Sequence, residues 1–237
     1  MLLDDALGYG DELIDDMIEA AFVTMGQNCT AGSRILVHED IADEVLTRFV
    51  AAAERLVIGD PFDPETRIGP LISHAARDRV AGTVDAARSA GAQIHTAGLP
   101  AGLSAAGAYY PPTVVTGAPD GSAVLTRELF GPVVTVQTFA TEAEAIRLAN
   151  ATEYGLAASV WTRDIDAAWR LSGGIQAGVV SVNSYSEGDI TTPFGGWKQS
   201  GFGGAEKSTA AFEQWTREKT VWVRTRSAFG QHQRTEQ

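Results

Sequence analysis

Short runs rich in valine and isoleucine alternate along this chain with runs of helical period, and that alternation restricts the possible folds more than any other feature of the sequence. Residues 11–25 carry Leu13, Ile14, Met17, Ile18, Ala21 and Phe22 at the i, i+3, i+4 spacing of an amphipathic helix. Arg34–His38 alternates as a strand. A second helix is predicted over 40–56, with Ile41, Val45, Phe49 and Ala52 inward. Ser73 is placed to cap a third helix, which ends near Gly91. Strands are predicted at 93–97, 109–115, 133–139, 156–161 and 177–182. Helices are predicted at 142–150, entered through the capping box Thr141/Glu144, and at 164–173. Leu2 and Leu3 read as the end of a strand. Such alternation with short connections predicts the α/β class: an open, mostly parallel sheet flanked by helices, with ligands at the carboxyl ends of the strands. A helix at 205–214, a strand at 218–223 and a polar tail complete the reading. No internal repeat is present.

The 237 residues suffice for one large or two small cored domains. Eighteen basic against 30 acidic residues give a formal charge of -12, which argues against nucleic acid or an anionic membrane surface as partner. No apolar run reaches the length of a membrane span, and acidic Asp4 and Asp5 stand where a signal peptide carries bases. A cytoplasmic location is expected.

The chain has one cysteine, so neither an internal disulfide nor a thiolate metal site is available to it, and no metal is expected. Cys29 is either an inert buried thiol or a nucleophile. It lies in Gly26-Gln27-Asn28-Cys29-Thr30-Ala31-Gly32-Ser33-Arg34, poor material for a core and good material for a loop. This stretch resembles the catalytic-cysteine motif of the aldehyde dehydrogenase superfamily, Gly-Gln-x-Cys-x-Ala-x-Ser-Arg.

Four further stretches resemble the same superfamily in its order: Gly59-Asp60-Pro61 with Ile68-Gly69-Pro70-Leu71, Glu128-Leu129-Phe130-Gly131-Pro132, Pro193-Phe194-Gly195-Gly196-Trp197-Lys198-Gln199-Ser200-Gly201, and Glu218-Lys219-Thr220-Val221. Read singly, Glu128 is a surface acid and Phe130 a core ring. The resemblance instead implies that Glu128 binds the nicotinamide ribose of NAD or NADP and that Phe130 lines the nicotinamide site. It implies Cys29 as the nucleophile that carries an aldehyde through a thiohemiacetal and a thioester to a carboxylic acid. It divides the chain into a catalytic domain, 1–214, an oligomerisation strand, 215–223, with subunits meeting through 218–223 in a homo-oligomer, and a disordered tail, 224–237. The superfamily's general base belongs to a Glu-Leu-Gly-Gly-Lys stretch expected before Leu2, and no Gly-x-Gly-x-x-Gly turn is present. The chain is therefore expected to be the catalytic portion without the dinucleotide-binding domain, and to be inactive by itself. Gly204 stands where the superfamily usually has arginine. The alternative is a stand-alone, non-oxidising thiol domain that joins subunits or acts as a weak esterase.

Ser186-Glu187-Gly188-Asp189-Ile190-Thr191 occupies the position of the superfamily's loop at the mouth of the aldehyde tunnel. With Phe194 it is similar to enzymes that oxidise amino- or guanidino-aldehydes of polyamine breakdown. The resemblance implies Glu187, Asp189 and Phe194 as substrate-binding residues; read on their own, the two acids are solvated loop charges. Trp161 and Trp169 are read as packing residues.

Overall fold

The computed structural model describes residues 1–104, 106–185 and 188–225. Its elements in chain order are α1 (Asp11–Phe22), β1 (Arg34–His38), α2 (Ala42–Glu54), α3 (His74–Ser89), β2 (Gln93–His95), β3 (Thr113–Thr116), α4 (Ala123–Thr126) and β4 (Val133–Phe139). These are followed by α5 (Glu142–Asn150), β5 (Tyr154–Gly155), β6 (Ala157–Val160), α6 (Ile165–Gly174), β7 (Val179–Val182), β8 (Trp197–Lys198) and α7 (Ala210–Glu213).

The main sheet has the order β2-β3-β4-β1, with β3, β4 and β1 parallel and β2 antiparallel at the edge. β6 and β7 form a separate parallel pair. Residues 1–3 join the two blocks: Leu2 pairs in parallel with Val37 on one side and Trp161 on the other. Four backbone hydrogen bonds hold this seam, Leu2 N–H to Leu36 O, His38 N–H to Leu2 O, Leu3 N–H to Trp161 O and Trp161 N–H to Met1 O. The fold is thus the α/β arrangement expected, a mixed and mostly parallel sheet between helices.

Alternation along the strands sorts the core into two layers. Ile35, Val37, Val114 and Val134 pack with Leu13, Phe22, Val45 and Phe49 of α1 and α2, where the rings of Phe22 and Phe49 stack at 5.9 Å. On the other face, Val115 and Val133 meet Val80, Val84 and Ala87 of α3, while Leu36 and Phe139 meet Ala145 of α5. Each fully buried Leu, Val or Phe contributes about 1.5–3 kcal/mol. The caps fall where the sequence put them. Ser73 Oγ accepts from Ala76 N–H at 3.1 Å, and Thr141 Oγ1 accepts from Glu144 N–H at 3.2 Å. Glu144 Oε2 reaches back to Ala140 N–H at 3.1 Å, one residue earlier than a capping box requires.

Two readings need correction. Glu218–Val223, expected as a strand, forms none in this chain: the segment is exposed and has no neighbouring strand to complete a ladder. The helix expected over 205–214 contracts to Ala210–Glu213. Its first turns are lost because Gly203, Gly204 and Ser208 take positive φ, and Glu206 and Ser208 N–H bond to the carbonyls of Phe194 and Ile190 instead. The two-residue ladder β5–β8 and the single turn α4 were not anticipated, being shorter than any periodic signal. Of the expected tail, 226–237 lies outside the described residues. Trp161 is buried and packs edge-on against Tyr9 at 5.6 Å, as a packing residue should; Trp169 is 75% exposed.

Candidate active site

The chain reaches Cys29 through an unusual bend. α1 stops at Phe22, and Thr24, Met25 and Gly26 then take φ of 51°, 57° and 65° in succession. Two of these are not glycine, and each such residue costs about 1–2 kcal/mol. The bend brings Gly26 against the carbonyl of Gly131: a methyl at Gly26 would collide with that oxygen and stand 2.7 Å from its carbon. Gly131 in turn lies on Val80 of α3, whose Cγ2 would be 2.8 Å from an added Cβ. Two sequence motifs 105 positions apart thus meet glycine to glycine, because any side chain would hold them apart.

Neighbouring hydrogen bonds fix the rest of the turn. Gln27 Oε1 accepts from Ile72 N–H at 3.0 Å, tying the turn to the loop before α3. Asn28 Oδ1 accepts from Thr30 N–H at 3.4 Å, so that Cys29 is the middle residue of an Asx turn. Gly32 N–H returns to Ala20 O at 2.8 Å, and Ser33 O accepts from Thr135 N–H at 2.9 Å. Arg34 Nη2 and Nη1 donate to Leu148 O at 2.8 Å and Ala149 O at 3.3 Å, at the carboxyl end of α5, where the helix dipole favours a cation. Burial lowers the Arg34 pKa, but arginine remains a cation in such settings. Cys29 is exposed, which excludes the reading of an inert core thiol.

A cavity of about 450 Å³ opens over this turn, lined among others by Cys29, Asn28, Thr30, Glu128, Phe130 and Tyr185. The Glu128–Gly131 segment turns with Phe130 at φ 54°, and Arg79 Nη2 of α3 donates to Leu129 O at 3.4 Å inside that turn. Both turns precede parallel neighbours, β1 and β4, in the register Arg34↔Thr135. The site is therefore built on the connections that enter the amino ends of strands, not at the carboxyl ends as expected. The helix-to-strand segments carry the motifs here, and adjacent parallel strands place those segments side by side. Trp161, Tyr185 and Ser200 reach the cavity from beyond the carboxyl ends of β6, β7 and β8.

Of the residues expected at the tunnel mouth, Asp189 and Phe194 are not among the described residues that line the cavity. Glu187 lies outside the described residues. Asp189 forms a local turn: its Oδ1 accepts from Thr191 N–H at 2.8 Å and from Thr191 Oγ1–H at 2.7 Å. These bonds, the backbone one first, hold its carboxyl below the usual range, with a smaller contribution from Lys207. Phe194 is not among the lining residues; its ring sits beneath Lys207 Nζ at 5.0 Å from the centroid. Lys198, at φ 52°, donates to Asn150 O and Thr152 O, each at 3.0 Å, and Ser200 Oγ accepts from Gly155 N–H at 3.0 Å. Tyr185 and Arg79 were missed from the sequence, because neither stands in a spacing that signals a role. Among the described residues no group of three His, Cys, Asp or Glu side chains is placed to hold a metal.

A model of the aldehyde dehydrogenase family matches residues 2–221. The chain belongs to that family. Among its relatives in this family, the aminoacetaldehyde dehydrogenase of Pseudomonas aeruginosa is 42% identical over 213 residues, 90% of this chain and 42% of the relative. The betaine aldehyde dehydrogenase of Sinorhizobium fredii is 41% identical over 203 residues, 85% of this chain and 42% of the relative. Among solved structures, PnpE in complex with nicotinamide adenine dinucleotide superposes with a TM-score of 0.88 at 38% identity, over 98% of this chain and 47% of that one. This aldehyde dehydrogenase chain therefore spans less than half the length of the relatives it matches.

Proposed function

We propose that this chain carries the nucleophile of an NAD- or NADP-dependent aldehyde dehydrogenase, with Cys29 as that nucleophile. The observation that carries the reading is the shared cavity: Cys29, Glu128 and Phe130, far apart in sequence, line one space. The Cys29 sulfur, as thiolate, forms a bond to the aldehyde carbon, and the carbonyl π electrons move onto oxygen to give a thiohemiacetal. A nicotinamide cofactor, when bound, supplies the hydride acceptor that turns this adduct into a thioester. Glu128 offers a carboxylate for ribose hydroxyls, and Phe130 an aromatic wall for a flat ring; both fit such a group. Water then releases the acid. The base for that step is expected on the Glu-Leu-Gly-Gly-Lys stretch, which this sequence does not contain.

Incubation with an aldehyde and NAD, an acid quench and peptide mapping test this reading in a polypeptide that joins the chain to a nucleotide-binding half. An acyl increment is expected on the peptide bearing Cys29 and on no other. Its absence with turnover intact would sink the proposal, and a chain that binds no NAD even when so joined favours the non-oxidising alternative. A subunit contact through 218–223 is also part of the reading: Phe212, Trp215 and Trp222 leave this end of the chain apolar and exposed.

The aldehyde class follows from charge. Two relatives are named for aldehydes that bear an amino or ammonium group. In this reading Asp189, whose carboxyl its own turn holds below the usual range, acts as charge at the tunnel mouth and not as a direct contact. Asp189→Asn combined with Glu187→Gln is expected to raise KM about fivefold for an aminoaldehyde, the modest effect of charges that solvent screens. KM for an uncharged aldehyde of the same length should stay unchanged. Equal effects on both substrates would dismiss the charge.

A further inference from the structure

We propose that the Tyr185 hydroxyl is a positioning group for Cys29; the proposal deepens the reading of Cys29 as nucleophile and rests on it. Cys29 is exposed, so packing does not orient it, and the precision of its turn must come from bonds made by its neighbours. Tyr185 Oη supplies them on both sides. It accepts from Asn28 Nδ2 at 3.1 Å and shares a hydrogen bond with Thr30 Oγ1 at 3.0 Å. The other end of the Asn28 amide accepts from Thr30 N–H at 3.4 Å. The result is a closed ring of hydrogen bonds, Tyr185 to Asn28 to Thr30 and back, with Cys29 as the residue it spans.

Such a ring positions nothing unless the tyrosine is itself fixed. Two residues earlier, Asn183 holds φ 54°, and its side-chain amide bonds both backbone groups of Thr162: Oδ1 accepts from Thr162 N–H and Nδ2 donates to Thr162 O, each at 2.9 Å. Thr162 is buried; Tyr9 Oη–H also donates to its carbonyl at 3.2 Å, and its hydroxyl donates to Asp5 Oδ2 at 3.1 Å. The carboxyl end of β7 is thereby pinned to the segment after β6, and Tyr185 leaves it from a rigid base. A thiol that must meet a carbonyl carbon within a narrow range of approach gains from this, since displacement of about 1 Å can cost a hundredfold in rate.

The single thiol permits a direct test in the 237-residue chain. A methanethiosulfonate nitroxide attached to Cys29 reports the nanosecond motion of that residue through its room-temperature electron paramagnetic resonance line shape. Tyr185→Phe is expected to raise the fast-moving fraction at least threefold, and Thr30→Val to do the same. The double variant should move no further than the larger single, because both break one ring. Thr30→Ser, which keeps the hydroxyl, should retain the wild-type spectrum, and so should Tyr110→Phe, a half-buried tyrosine of the α3 layer. A Tyr185→Phe spectrum that superimposes on wild type, or single effects that add, would overturn the proposal. The readout is motion and not turnover: turnover that survives loss of Cys29 would remove the nucleophile and leave the tether standing, while an unchanged line shape would do the reverse.

Discussion

Cys29→Ala is expected to abolish aldehyde-dependent NADH formation, by at least about a thousandfold, in any polypeptide that joins this chain to a nucleotide-binding half. The chain holds no second thiol to take over the attack. The hydroxyl next to it in sequence, that of Thr30, is buried and engaged with Tyr185, and an alcohol is far weaker than a thiolate at neutral pH. Cofactor affinity should survive the change, because Glu128 and Phe130 stand on a separate turn. The measurement is absorbance at 340 nm with an aldehyde in excess, beside equilibrium dialysis of NAD. Activity within tenfold of the parent would show that another group makes the bond to carbon, and the shared cavity would need a different explanation.

The second large effect concerns stability and pH. In the 237-residue polypeptide, the α-amino group of Met1 is buried within the seam, donating to Ser159 O at 2.8 Å. Burial lowers its pKa from 8.0 to about 5. The unfolded chain takes up this proton below about pH 8, the folded chain only below about pH 5. Folding stability is therefore complete above pH 8 and declines as pH falls to 5, by about 4 kcal/mol in all. The carboxyls of Glu142 and Asp189, held below their usual values by Arg170 and Thr191, add losses only at lower pH. Urea midpoints at pH 8.5 and 5.5, for this polypeptide and for one acetylated at Met1, check the sign. The free amine should show the larger drop on acidification; parallel drops in the two would remove the amine as the cause.

The parts of this molecule that a sequence announces are those whose period exceeds their irregularity. Val133–Phe139 and Arg34–His38 were legible to the residue, because one face of each strand meets a helix and the alternation cannot slip. The Ser73 and Thr141 caps were legible because the bond is local. The meeting of Cys29 with Glu128 and Phe130 was available only through resemblance: it depends on β1 and β4 being parallel neighbours, and no spacing in the chain states that. Tyr185 was beyond reach because its partners lie about 155 residues away, at a distance set by how β7 ends. The helix at 205–214 was misread for a related reason: its pattern was sound, but the amides of Glu206 and Ser208 found acceptors in the glycine-rich loop instead of in their own first turns.

One helix end ties the two motif loops into a single fate. Arg34, at the exit of the cysteine turn, and Lys198, in the glycine-rich loop, both donate to carbonyls at and just beyond the last turn of α5. Fraying of that turn takes acceptors from both cations at once. It couples the two loops through one local event, although 164 positions separate their cations in the chain. Substitutions at the surface of α5, remote from the cavity, would be felt at the nucleophile and at the substrate loop together, as a change in how often both are open at once.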